Sequence, residues 1–216
     1  MKKHLVALVL SGQVCLAVPA LAREPGNPPD VSRGSAPGLA WDVEARVGAA
    51  SIFGRGSDIF EIGPAVTLLG GPRMDGHFGL HAMAFLADLP LRADESVDHR
   101  GQLAALALAP TFYPLGGVGR FEPSIALVGG YSYLSGEVEG SVSEVVYESR
   151  SVAAGASLGS LWTLVAPFGI GASATVLQLF VDRACVRVSD ATTSCNAQTR
   201  LTPRLVSLQV AFSLRL

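Results

Sequence analysis

Asp42, Glu44 and Arg46 occupy alternate positions of Trp41-Asp42-Val43-Glu44-Ala45-Arg46-Val47. An extended chain therefore puts all three on one face and Trp41, Val43 and Val47 on the other. Glu61 takes the equivalent face of the next segment, opposite Phe60, Ile62, Val66 and Leu68. Three carboxylates and a guanidinium turned toward a confined interior allow two kinds of chemistry. Opposite charges can pair and fill the space, since unpaired charge there is costly. Left open, the same groups could line an ion path or gate. Glu122, Gln209 and Arg215 are further polar residues able to join such a group toward the chain ends.

Other candidate chemistry is sparse. His77 and His81 share one alternating segment, and no His-x-Ser pairing accompanies them. His99 lies between Asp98 and Arg100 and reads as part of a solvated charge cluster. Gly54-Arg55-Gly56 and Gly116-Gly117-Val118-Gly119 do not open helices after buried strands, so they read as turns and not phosphate cradles. Glu137, Glu139, Glu144 and Glu148 are acidic but lack a calcium-loop spacing. No catalytic, cofactor-binding or metal-binding residue is assigned, and the chain is expected not to be an enzyme.

Residues 1–22 have the pattern of a cleaved export leader. Met1-Lys2-Lys3-His4 is basic, 5–22 carries no charge, and Ala20-Leu21-Ala22 presents small residues where a signal peptidase cuts. The apolar run is too short and too interrupted by Gly12, Gln13 and Pro19 for a span of about 20 residues. Beyond it the chain has no Lys and 14 Arg against 18 acidic residues, a net of −4. No basic excess points to nucleic acid. Cys185 and Cys195 are then the remaining cysteines, and an even pair in an exported chain is expected to form a disulfide. Residues 23–39, with Pro25, Pro28, Pro29 and Pro37, read as a flexible Pro/Gly-rich lead-in.

Residues 40–216 must supply the elements that hold these groups, and their dominant period is two. Leu208, Val210, Phe212, Leu214 and Leu216 alternate with Gln209, Ala211, Ser213 and Arg215. Between Gly/Pro-rich breaks the same test predicts eight strands, at 40–53, 59–69, 77–87, 101–113, 121–136, 151–164, 168–181 and 201–216. Most reach about ten residues, the length that crosses a bilayer at a tilt. One set of connections (70–76, 114–120, 165–167) is short. On the opposite side, 54–58 is short but 88–100, 137–150 and 182–200 are long. Aromatic residues fall near both strand ends: Trp41, Phe78, Phe112, Tyr113, Phe121, Trp162 and Phe168 at one, Phe53, Phe60, Phe85, Tyr131, Tyr133 and Phe180 at the other. The less apolar face carries small residues, such as Gly63, Ala65 and Thr67, which suit a narrow closed interior. The uncharged stretch 151–181 could suggest a helical hairpin, but Pro167 and Gly169 leave arms too short to span. The facing of 168–181 is not readable, because Gly, Ala and Ser dilute both sides.

A leader followed by eight alternating segments resembles the small outer-membrane β-barrel proteins of Gram-negative bacteria. The resemblance implies an eight-stranded antiparallel up-and-down transmembrane β-barrel in the outer membrane. It further implies contact with outer-membrane lipid and with the barrel-insertion machinery, although Leu216 ends the chain where that group usually has Phe or Trp. A barrel of eight strands has room for side chains and little else, so a filled lumen is expected. The role expected is structural or one of surface interaction, with outer loops contacting an extracellular ligand. A narrow solute channel is the alternative, and a lipid-modifying barrel enzyme a more distant one.

Overall fold

The computed structural model describes residues 40–54, 60–74, 76–90, 98–116, 120–139, 144–188, 193–196 and 202–216. The leader (1–22) and lead-in (23–39) lie outside the described residues. The chain forms strands β1 (Ala40–Phe53), β2 (Gly63–Met74), β3 (Phe78–Pro90), β4 (Asp98–Phe112), β5 (Phe121–Glu139), β6 (Glu144–Val165), β7 (Phe168–Val188), β8 (Ser194–Asn196) and β9 (Arg204–Arg215). Each strand from β1 to β7 pairs antiparallel with the next. β7 pairs with β9, and β9 pairs with β1, so eight strands close into a ring. The short β8 stands outside that ring as an added partner of β7. Among the described residues no helix is long and apolar enough to cross a membrane.

The alternation that produces these strands also sorts their faces. In β2, Ala65, Thr67, Leu69, Gly71 and Arg73 are buried, while Pro64, Val66, Leu68 and Met74 are exposed. The exposed set continues round the ring as Leu86, Leu106, Leu127, Leu158, Val176 and Leu208. An apolar exterior with a sealed interior is the reverse of a water-soluble barrel and matches a lipid-facing surface. At the end where the chain enters β1 and leaves β9, Phe78 stacks near Phe112 (ring centroids 5.2 Å) and Phe121 near Trp162 (4.8 Å). Both pairs sit on cross-strand partners of the exterior, at the level where an aromatic girdle borders the apolar band.

Several boundaries differ from the sequence expectation. β2 runs four to five residues later than 59–69, because Phe60 makes only an isolated bridge and pairing with β3 carries on through Arg73 and Met74. β5, β6 and β7 reach 19, 22 and 21 residues, against 12 for β2 and β9. About ten residues cross a bilayer, so these three strands carry a ladder well past the apolar band. Charged residues at 137–150 and 182–188 suggest loops when read as sequence. Backbone pairing does not require apolar side chains once the sheet stands in water. The facing of β7 is settled as well: Ser173, Thr175, Leu177 and Leu179 point in, and Val176 and Phe180 point out.

Two aromatic placements are corrected. Phe85 is buried inside the ring, not in an outer band, since it follows the inward phase of Met83 and Ala87. Tyr113 is likewise buried inside, beneath Arg73. The inward face is also less uniformly small than expected. Phe85, Leu89, Leu103, Leu177, Leu179 and Leu205 are all almost wholly enclosed.

Candidate functional site

The interior divides into two layers. The charged one lies toward the chain ends and is built by β1, β2, β5 and β9. Arg73 Nη1 donates to Glu122 Oε2 at 2.8 Å and Arg73 Nη2 to Glu122 Oε1, a two-pronged pair between β2 and β5. Arg73 Nε also donates to the carbonyl of Gly76 at 2.9 Å, and its guanidinium lies 3.9 Å from the centre of the Tyr113 ring. Gly76 has φ +68°, a conformation that favours glycine. That turn aims its carbonyl back at Arg73. From β9, Arg215 Nη2 donates to Glu122 Oε2 at 2.6 Å and Nε to Asp42 Oδ1 at 3.1 Å. Asp42 Oδ2 is 3.8 Å from Arg73.

Further in, Arg46 Nε donates to Glu44 Oε1 at 2.5 Å and Nη1 to Ser157 Oγ at 3.1 Å. Ser157 Oγ lies 2.9 Å from Thr175 Oγ1. His81 Nδ1 is 3.0 Å from Thr111 Oγ1, whose hydroxyl donates to the Ala109 carbonyl. Thr67 Oγ1 donates to Gln209 Oε1 at 2.9 Å. The inward ion-paired groups are Asp42, Glu44 and Glu122 against Arg46, Arg73 and Arg215, so their formal charges cancel. A cavity of ≈ 20 Å³ remains among Asp42, Glu44, Arg46, His81, Thr111 and Tyr113, and one of ≈ 90 Å³ near Glu122, Pro167 and Arg215. The first has room for about one water molecule.

The second layer, toward the long strands, is mainly apolar. Ile52, Phe85, Leu89, Leu103, Leu134, Leu177, Leu179 and Leu205 pack as one buried cluster. An ion crossing it would exchange its hydration shell for a few buried hydroxyls, those of Ser132, Ser149, Ser151 and Ser207, at a cost of several kcal/mol.

Of the residues singled out from sequence, Asp42, Glu44 and Arg46 come together in the charged layer. Glu122 and Arg215 join them, and Gln209 lies higher, bonded to Thr67. Glu61 does not reach the group. It is exposed, and its backbone N–H donates to the Pro90 carbonyl at 2.7 Å, at the other end of the barrel. Glu61 precedes β2, whose start lies far from Asp42: Ala50, not Asp42, pairs with Gly63, because β2 runs back down against β1. Arg73 was missed. Gly70-Gly71-Pro72 looks like a turn, yet the inward phase of Thr67 and Leu69 runs on through Gly71 to Arg73. His77 Nδ1 lies 3.1 Å from the Tyr113 carbonyl within the turn region. Cys185 and Cys195 form a disulfide across β7 and β8, with Cα atoms 4.1 Å apart.

No family model matches this sequence, and no curated protein does either. Solved structures do match in fold. A major outer-membrane protein from Thermus thermophilus has a TM-score of 0.61 at 12% identity, covering 83% of this chain and 100% of that one. Ail, the attachment invasion locus protein of Yersinia pestis, gives 0.54 at 9%, covering 82% and 99%. Neisserial surface protein A gives 0.53 at 12%, covering 81% and 97%. The Yersinia protein has also been solved with sucrose octasulfate, a heparin analogue. The chain thus has the fold of the small outer-membrane β-barrels.

Proposed function

We propose that this chain is a bacterial outer-membrane barrel, exported through a leader cleaved after Ala22, whose closed body holds a structured surface for interaction. Insertion would involve the outer-membrane assembly machinery. The observation that carries the reading is the doubly sealed interior. Paired charges fill the end where β1 begins and β9 finishes, and Phe85, Leu103, Leu177 and Leu205 fill the other. With the interior shut, what remains available to a partner is the exterior above the apolar band, where β5, β6 and β7 extend and the disulfide fastens β8. A barrel of this fold from Yersinia pestis has been solved with a polyanionic sugar analogue, which is consistent with a ligand-contacting role.

Planar-bilayer recording tests the closed interior against the channel alternative. The purified barrel is expected to give no steady single-channel current. A reproducible ohmic conductance that survives repurification would overturn the reading in favour of transport.

A further inference from the structure

The exterior at the edge of the apolar band has an arrangement of charge that folding alone does not favour. Tyr131, Val152 and Phe180 are cross-strand partners on β5, β6 and β7, and all three are exposed. The next outward row, two residues on along β5 and β6 and three along β7, is Tyr133, Arg150 and Arg183. The two arginines stand directly opposite one another on paired strands, and both are exposed. Like charges in that relation destabilise a sheet.

The local register makes the pairing more telling. Ser151 pairs with Val181, but Arg150 pairs with Arg183, so a bulge leaves Asp182 out of the ladder. An unbroken register would have set Asp182, an opposite charge, against Arg150. Bulges commonly re-aim a side chain, and this one brings a second guanidinium to the outward row. Among the described residues, neither Arg150 nor Arg183 takes part in an ion pair. In contrast, Arg46, Arg73 and Arg215 of the interior are all paired.

The two arginines also share a depression of ≈ 230 Å³ with Glu148, Thr193 and the disulfide of Cys185 and Cys195. The disulfide holds one wall of it in place. We propose that Arg150 and Arg183 bind the phosphorylated headgroup of a membrane lipid in the leaflet on the long-strand side. This rests on the membrane-barrel reading above. Height selects the ligand. The row lies next to Tyr131 and Phe180, so a lipid whose chains lie against Val152 and Phe180 brings its phosphate to the two guanidiniums. Arginine forks match phosphate oxygens, and two of them relieve their mutual repulsion by sharing one anion. Glu148 lines the same depression, where its carboxylate is engaged by the Tyr133 hydroxyl.

The test uses full-length barrel refolded into phosphatidylcholine vesicles, extracted in mild detergent and titrated with lipid A or its dephosphorylated form, bound lipid being counted by native mass spectrometry. Wild type is expected to retain lipid A at least about tenfold more tightly than R150Q/R183Q, the loss of one or more charge-assisted contacts. Dephosphorylated lipid should bind both proteins alike. R150K/R183K, which keeps the charge, should recover part of the difference. Equal retention of lipid A by wild type and R150Q/R183Q would overturn the proposal, as would preferential binding of soluble sucrose octasulfate at the same residues. Failure of wild type to enter vesicles, or to migrate differently before and after boiling, would instead count against the barrel reading itself.

Discussion

Replacing Glu122 with Ala is expected to destabilise the folded barrel by about 3–5 kcal/mol, the usual effect of removing one partner from a buried ion pair. Arg73 carries most of that loss. It is almost fully enclosed and would keep the Gly76 carbonyl, the Tyr113 ring face and, at 3.8 Å, the Asp42 carboxylate. Arg215 contributes less, because it is more exposed and still reaches Asp42. The measurement is urea unfolding in lipid vesicles, followed by the boiled-versus-unboiled gel shift and by tryptophan fluorescence. A loss below about 1 kcal/mol, the scale of an exposed pair, would mean that the fork between β2 and β5 does not hold the interior closed. The double variant R73M/E122L separates pairing from packing. Removing both charges together should restore much of the stability lost in E122A, since the penalty is that of a stranded guanidinium.

Leu108→Arg is expected to cost about 2–4 kcal/mol, because it sets a charge against hydrocarbon near the middle of the span. Leu108 is 58% exposed on β4, between Phe112 at one boundary and Gln102 at the other, with Ala82 and Gly129 as its cross-strand neighbours. In a water-soluble barrel the same replacement would fall within about 0.5 kcal/mol. Gln102→Arg provides the depth control. It is outward on the same strand, beyond Ala104, toward the end where the ladder leaves the apolar band. Near an interface the cost falls to about 0–1 kcal/mol. Equal effects at 102 and 108 would remove the membrane from the explanation of the apolar exterior.

The ring itself was legible because most strands show one apolar and one less apolar face, as the run from Leu208 to Arg215 does. Two things were not. One was height: alternation assigns a side chain to a face but not to a level, so Glu61 was grouped with Asp42 although antiparallel pairing separates them. The other was the apolar layer of the interior. There, Phe85 points in beside outward Leu86, Leu103 points in near outward Leu106, and Leu177 and Leu179 point in between Val176 and Phe180. A strand buried in lipid on one side and in protein on the other loses its contrast of period two. That is why the facing of β7 could not be read, and why the inner plug went unseen. Arg73 was hidden for a different reason, since the glycines and proline that bring strands together at a barrel end also resemble a turn.

The ion pair between Asp42 and Arg215 joins the first strand of the ring to its last. Until those two edges meet, Arg215 has no carboxylate from β1, and Asp42 has only the guanidinium of Arg73 on the neighbouring β2, at 3.8 Å. Sealing the seam and neutralising the margin are therefore a single event. A gaping sheet surrounded by lipid carries an electrical penalty that falls on circularisation, and the two outermost strands become each other's latch.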